Sequence, residues 1–295
     1  MLLVAGNLVY DWIAGPVAEL AWDQTIWPEA FAAGLGGNGG TTAYAAARLG
    51  VPVRLVTACG DDLPGEACKR RLASVGVDGR YLPDLKGGTA LTMGLFRPDG
   101  ARALIHRPGV LEEAFGRVPS LLPFGEGVRW LHIGNPFAIA GLRRNAATYL
   151  REARAAGWVT SMDMGWDRMG EWMKVVEPCL PNCDWLFANE TEADRLGPVS
   201  ARTVIKLGAR GCLVDGIAVP GIPVEAVDST GAGDCFCGGF IAATIRGLNP
   251  LDAGRVANAY GAQSVSAAGP TDGLGDWNSV SSGNTSGTTY RAVSG

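Results

Sequence analysis

Short apolar runs that end on glycine or a polar residue alternate, along most of the chain, with Ala-, Leu- and Arg-rich stretches of helical periodicity. "LLVAG" opens the sequence, "TTAYAAARLG" reads as a helix stopped by Gly50, "VRLVTACG" as a strand and "GEACKRRLASVG" as a helix stopped by Gly76. Glycine after the last helical residue is a stop signal, because it enters the left-handed region without steric cost. "VRWLHIG", "WVTSMDMG", "DWLFANE" and "ARTVIKLG" follow as strands, "GLRRNAATYLREARAAG" and "GDCFCGGFIAATIRG" as helices. Strands alternating with helices of this length predict βαβ units, and hence an α/β chain with a mostly parallel sheet covered on both faces. Ligands of such sheets bind beyond the C-terminal strand ends. That directs attention to "GN", "HIGN", "MDMG", "FANE" and "KLG".

One region departs from the alternation. Residues 89–109 are two extended runs around a Pro98-Asp99-Gly100 turn, a hairpin signal inside an α/β pattern. With the segment after Asp11 this predicts a small sheet standing off the main one as a lid, from segments of about 11–33 and 86–109; an antiparallel edge on the main sheet is the alternative. The polar, Ser/Thr/Gly-rich tail 276–295 is expected to add little to a core. No internal repeat divides the chain, and 1–295 is read as one domain.

Composition narrows the chemistry. The chain has 295 residues, 47% hydrophobic and 18% charged, as expected of a well-cored globular protein. A net charge of −4 gives no footprint for nucleic acid. No apolar run is long enough to span a bilayer, and "MLLVAGNLVYDW" lacks a basic leader, so a cytoplasmic location is expected. Seven scattered cysteines without a Cys-x-x-Cys pair read as reduced, mostly buried thiols. With only His106 and His132, a His-rich zinc site or a His-driven hydrolase is disfavoured. The chemistry must rest on Asp, Glu, Asn, Lys and backbone.

Two glycine-rich stretches remain. "GLGGNG", 34–39, matches the G-x-G-x-x-G of dinucleotide folds, with Asp61 and Asp62 about 22 residues on. The preceding "WPEAFAAG" has no strand pattern, so a nicotinamide-dependent oxidoreductase is kept only as the alternative from another class. The loop does bring backbone amides, Asn38 and Thr41 to one place, and Asn, as both donor and acceptor, suits hydroxyl groups. In "DSTGAGDCFCGGFIAATIRG" apolar residues at Phe236, Phe240, Ile241 and Ile245 have helical spacing. Gly231-Ala232-Gly233 therefore sits at a helix N-terminus, where amides and dipole favour an anion. Asp234 either complements that dipole or takes a proton from an alcohol beside a phosphate. Phosphoryl transfer needs such a base together with anion donors and a metal.

"DSTGAGD" resembles the second signature of the ribokinase-like, or PfkB, carbohydrate kinases, and "GGNGGTTAYAAARLG…GDD" is similar to the first. "FANETEA" resembles the family's Asn-x-x-Glu motif, "VIKLGARGCLV" its strand–Gly-x-x-Gly element, and "GNLVYD" its N-terminal sugar-contact segment. The motifs stand in family order from residue 5 to about 270. The resemblance implies a three-layer α/β/α kinase using ATP and Mg²⁺ to phosphorylate a hydroxyl, a primary CH₂OH, of a sugar or sugar-like substrate; a nucleoside is the alternative acceptor.

It implies Asp234 as general base and the amides of Gly231, Ala232 and Gly233 as anion hole. Asp11, Gly37, Asn38 and Thr41 would contact substrate hydroxyls. Asn189 and Glu192 would organise Mg²⁺ and the ATP phosphates, Glu192 through water; otherwise Glu192 is an exposed helix-start carboxylate. Lys206, Gly208 and Gly211 would lie beside the nucleotide, the glycines otherwise forming a plain tight turn. Asn258 would flank the adenine, or else make a structural bond. Asp228 would fix the loop near a K⁺ region, and the lid would form a homodimer contact.

Asn38 and Thr41 stand where ribokinase carries Lys and Asn, and Val9 where it carries Asn, which speaks against ribose itself. Arg97, Arg102, His106 and Arg107 on the lid meet an acidic sugar or, preferably, form its solvated face. Trp12, Trp166 and Trp172 offer stacking faces or, preferably, core packing.

Overall fold

The computed structural model describes residues 1–83, 85–99 and 101–281. Its strands are β1 (Leu2–Gly6), β2 (Val9–Gly15), β3 (Ala30–Gly36), β4 (Val53–Thr57), β5 (Asp78–Tyr81), β6 (Ala90–Phe96), β7 (Arg102–Arg107), β8 (Trp130–Gly134), β9 (Val159–Asp163), β10 (Trp185–Asn189), β11 (Arg202–Lys206), β12 (Gly211–Val214) and β13 (Ile217–Pro220). The helices are α1 (Asn38–Arg48), α2 (Leu63–Ala73), α3 (Ala140–Ala155), α4 (Trp172–Val176), α5 (Glu190–Leu196), α6 (Ala232–Ile245), α7 (Pro250–Val265) and α8 (Asn278–Ser281). Nine strands form one sheet in the order β13-β12-β11-β10-β9-β8-β1-β4-β5, parallel from β11 to β5 and closed at one edge by the antiparallel β12–β13 hairpin.

The parallel strands are apolar on both faces because each face has its own core. Along β1, Leu2 and Val4 enter one hydrophobic cluster with α1, α6 and α7, whereas Leu3 and Ala5 enter a second with α3. The period of two in a strand makes this division automatic. Helix α6 is buried nearly all round between α1 and α7 rather than along one stripe, which the spacing of its large residues did not convey. Gly238 permits this: a Cβ there would meet the Ala45 Cβ at 2.7 Å. Ile245, grouped with the apolar face in the sequence, is partly exposed.

The second sheet has the order β3-β2-β6-β7, with β2 and β6 parallel and the outer pairs antiparallel. Its hairpin is where residues 89–109 predict one. Strand β3 is a correction: "WPEAFAAG" yields a strand after all, because small residues accept the pairing that β2 imposes along its whole length. "GLGGNG" therefore leaves an antiparallel strand of the small sheet, not the first parallel strand of a dinucleotide fold, and the oxidoreductase reading loses its structural context.

Two further expectations change. Trp277 and Val280 of the tail pack against the first core, with the Arg246 guanidinium 4.3 Å from the Trp277 ring centre; the tail beyond 281 lies outside the described residues. Trp12 and Trp166 are exposed rather than in a core, because Trp12 faces away from the small sheet's inner surface and Trp166 stands in a loop; Trp172 does pack, against Phe137 and the exposed Trp166 ring. All seven cysteines are free, and all but Cys59 are buried. Among the described residues no helix is long and apolar enough to cross a membrane.

Candidate active site

The register of the large sheet sets Gly6, Gly134 and Asp163 side by side at its C-terminal edge. Helix α1 begins against this row. A Cβ on Gly6 would lie 2.7 Å from the Gly39 Cα, and one on Gly134 would lie 3.1 Å from the Gly39 N. The bare backbone at these strand ends lets the N-terminus of α1 bring Asn38 up to the first turn of α6. There the Asn38 Nδ2 donates to the Asp234 Oδ1 at 2.7 Å.

Between these helix ends and the inner face of the small sheet lies a cavity of about 190 Å³, lined among others by Asn7, Asp11, Gly37, Asn38, Thr41, Thr92, His106, Gly231 and Asp234. Two buried polar atoms on its wall, Asn7 Oδ1 and Thr41 Oγ1, have no hydrogen-bond partner among the described residues. Buried polar groups are nearly always paired, so these two are ready for a polar ligand. Of the four basic lid residues, His106 alone lines this cavity. Arg97 pairs with Asp99 on the surface, Arg107 donates to the Thr89 carbonyl, and Arg102 lines a separate groove at the far end of the lid.

Burial drives the Asp234 carboxyl up to about 7. The nearby Asp163 charge pushes the same way, and the Lys206 charge and the Asn38 hydrogen bond restrain it. A carboxylate poised near neutrality suits a general base. Asp11 is pushed up to about 6, first by burial and then by the Asp228 charge, against the Thr92 hydroxyl. The Asp11 side chain lies over Gly36, where a Cβ would sit 1.8 Å from its Oδ2. Thr92, opposite Asp11 in the register, also meets the His106 Nδ1 at 3.1 Å.

Gly231, with φ +71°, turns the loop into α6. The first turn of a helix leaves amides without intrahelical acceptors; here the Ala232 amide reaches back to the Ser229 carbonyl at 3.4 Å, while those of Gly231 and Gly233 make no backbone hydrogen bond among the described residues. Lys206 stands beside them: a Cβ on Gly233 would be 3.3 Å from its Nζ. The ammonium also binds the Asp163 Oδ1 at 2.6 Å. Burial opposes its charge, but the Asp163 carboxylate outweighs that and raises its pKa. Glu192 and Asn189 form a reciprocal capping box at the start of α5, Glu192 N donating to Asn189 Oδ1 and Asn189 N to Glu192 Oε2. Glu192 is buried, not an exposed helix-start group, and burial together with the Asp163 charge raises its carboxyl.

Other residues singled out in the sequence have plainer surroundings. Asp228 holds the loop by accepting from the Thr230 and Gly269 amides. Asn258 spends its amide on the carbonyls of Val219 and Pro220. Gly208 and Gly211 have positive φ around the turn into β12. A Cβ on Gly211 would strike the Val219 carbonyl, whereas Gly208 is open. Residues that sequence reasoning passed over are Asp163, Asn135, Thr92 and Asn7. Asp163, Asn135 and Asn7 stand in "MDMG", "HIGN" and "GN", strand ends that the parallel-sheet rule had already marked.

The donor set fits a bound nucleoside triphosphate with Mg²⁺. A lysine stands 3.3 Å from the place of a Gly233 Cβ, beside the helix-start amides of Gly231 and Gly233, with the buried Glu192 carboxylate in electrostatic reach of that lysine. Among the described residues no group of three His, Cys, Asp or Glu makes a metal cage. Mg²⁺ would therefore rely on Glu192 and the phosphates, as is common for this ion.

A model of pfkB family carbohydrate kinases matches residues 1–276. An ATP-dependent ribose-1-phosphate kinase of Halopiger xanaduensis is 32% identical over 243 residues, covering 77% of this chain and 79% of that protein. A nucleoside kinase of Methanothermobacter thermautotrophicus is 27% identical, over 76% of each chain. The structure of Arabidopsis thaliana ribokinase complexed with ribose and ATP superposes with a TM-score of 0.77 at 23% identity, over 95% of this chain and 97% of that one. The chain belongs to the pfkB family of carbohydrate kinases.

Proposed function

We propose that the protein transfers the γ-phosphoryl group of ATP to a primary hydroxyl of a sugar or sugar-like substrate, with Asp234 as the base. The observation that carries this reading is the Asp234 carboxylate itself, half-buried on the wall of a polar cavity at the start of α6, held by the Asn38 amide and with its pKa near neutrality. Asp234 accepts the proton of the hydroxyl as its oxygen bonds to the γ-phosphorus, and the bond from that phosphorus to the bridging oxygen breaks to leave ADP. The amides of Gly231, Ala232 and Gly233 and the Lys206 ammonium carry the charge of the group in transit. When bound beside Glu192, Mg²⁺ supplies charge neutralisation on the phosphates. Asn189 holds Glu192 in place through the capping box.

Asp11, Asn7 and Thr41 hold the acceptor's hydroxyls; the two unpartnered oxygens support a polyol. A nucleoside is the second reading, favoured by the apolar Val9, Ile13 and Leu104 on the same cavity wall, which offer a face to a base. Gly208, with open space about it, leaves room beside the nucleotide, and Asn258 acts on that side by holding the β13 carbonyls. A K⁺ ion near Asp228 and a dimer through the exposed lid face of Trp12, Met93 and Ile105 belong to the same reading. An ADP-release screen across pentoses, hexoses, acidic ketodeoxy sugars and nucleosides, in K⁺ and in Na⁺, tests it. One acceptor class should stand far above the ATPase background. Background release with every acceptor would overturn the proposal.

A further inference from the structure

The catalytic carboxylate is the end of a chain of three hydrogen bonds whose direction is fixed at its other end. The backbone amide of Phe137 donates to the Asn135 Oδ1 at 3.0 Å. A backbone N–H can only donate, so the Asn135 carboxamide has one allowed orientation, with its Nδ2 turned outward. That Nδ2 donates to the Asn38 Oδ1 at 3.2 Å, which orients the second carboxamide in turn. The Asn38 Nδ2 is left to donate to the Asp234 Oδ1 at 2.7 Å. Reversing either amide would set donor against donor or acceptor against acceptor.

We propose that Asn135 is a positioning residue that locks the Asn38 amide as a donor to Asp234 Oδ1, leaving Oδ2 as the oxygen that takes the substrate proton. Oδ1 accepts from Asn38 whether the carboxyl is ionised or protonated, so the proton resides on the other oxygen. Asn135 is built for this. It adopts φ +55°, a conformation asparagine tolerates better than most residues, and its backbone amide donates to the Asp163 carbonyl. Gly165 gives it room: a Cβ there would stand 2.4 Å from the Asn135 carboxamide. The other charged groups acting on Asp234 are Asp163 and Asp11, which oppose its ionisation, and Lys206, which favours it. The Asn38 bond favours the ionised form.

The test is a ¹³C carboxyl NMR titration of the intact protein, with the Asp234 signal assigned by its loss in Asp234→Asn. It compares wild type, Asn38→Ala, Asn135→Gly and the double variant; glycine accepts the positive φ and removes only the side chain. Expected is an upward shift of the Asp234 midpoint by about half a unit to one unit in Asn135→Gly, a shift at least as large in Asn38→Ala, and no further shift in the double variant. An unchanged midpoint in Asn135→Gly, or a double variant shifted well beyond Asn38→Ala, overturns the relay. Should Asn135→Gly fail to fold, Asn135→Asp replaces it. It keeps the acceptor for Phe137 but cannot donate, so Asn38 must turn its carbonyl toward Asp234 and the midpoint must rise, less so when Asn38→Ala is added. The inference rests on the kinase reading for its meaning, but the titration needs no substrate. With an active acceptor in hand, the acid limb of kcat/KM should move with the NMR midpoint while KM for ATP stays constant. Absence of any acceptor would overturn the kinase reading and leave the titration to decide the relay.

Discussion

Two carboxylates near the C-terminal edge of the large sheet, the half-buried Asp234 and the buried Asp163, are held by opposite means. At the proposed acceptor end, Asp234 is met by a neutral amide, and its pKa is left near neutrality. At the proposed nucleotide end, Asp163 is met by the half-buried Lys206 at 2.6 Å, an ion pair whose ammonium is held firmly charged. A neutral partner gives only part of the stabilisation that a counter-charge gives in a poorly solvated place. The first arrangement leaves a group able to gain and lose a proton; the second fixes a charge where phosphates would lie. On the proposed function, the same fold edge would support proton transfer on one side and anion binding on the other.

The largest expected effect removes the exchangeable proton. Asp234→Asn should cut kcat by a hundredfold or more, the scale of general-base catalysis, with KM for ATP and acceptor nearly unchanged in steady-state ADP release. Near-normal turnover would mean that the amide-held carboxylate is not the base and that the contrast between the ends has no catalytic content.

This contrast was half visible in the sequence. Asp234 and its amides are contiguous in "DSTGAGD", and a helical pattern follows, so one short stretch carried the geometry. Asn189 and Glu192 stood out only through their resemblance to a family motif; the capping box they form and the burial of Glu192 were not read from it. Thr92, Asn135 and Asp163 were not legible, because their roles arise from strand register and from contacts across 97 residues of chain, as in the bond from Asn135 to Asn38. Strand β3 was missed for a related reason: its Ala- and Gly-rich sequence has little intrinsic strand signal, and pairing with β2 decides it. The alternating order was readable from local periodicity for the parallel strands β1, β4 and β8 to β11, but not for the edge strand β5, whose four residues, none of them buried, carry no apolar run.

Breaking the ion pair should come next in size. Lys206→Met leaves Asp163 and the buried Glu192 without their cation, and stranding a buried charge costs about 3–5 kcal/mol. A fall in Tm of about 5 °C or more is expected by thermal denaturation, with KM for ATP rising about tenfold or more. An unchanged Tm would show that the pair is not a structural counter-charge.

Gly36→Ala acts on the acceptor end without touching any charge. The added Cβ would stand 1.8 Å from the Asp11 Oδ2, so the carboxylate must swing off its place on the cavity wall. KM for the acceptor should rise about fivefold to tenfold, near 1 kcal/mol, while KM for ATP and Tm change little. A shift in ATP affinity instead would tie Asp11 to the nucleotide end.

The smallest effect is a difference in sign between the two carboxylates. For Asp234 the folded-state pKa of about 7 lies above the ordinary 3.8, so the native state binds the proton more tightly than the unfolded chain. Its contribution to stability is fully present below about pH 4, falls as pH rises through 7, and is constant above that. Asp234→Asn removes the cost of ionising a buried group while keeping an acceptor for the Asn38 amide. Its Tm should therefore exceed that of wild type by a few degrees at pH 8, and the gap should close as pH falls toward 4. Asp163→Asn should do the reverse at pH 8 and lower Tm, since it strands the Lys206 ammonium. Thermal melts of both variants from pH 4 to 8 read the two signs directly, and equal signs at pH 8 would erase the distinction between an amide-held and an ion-paired carboxylate.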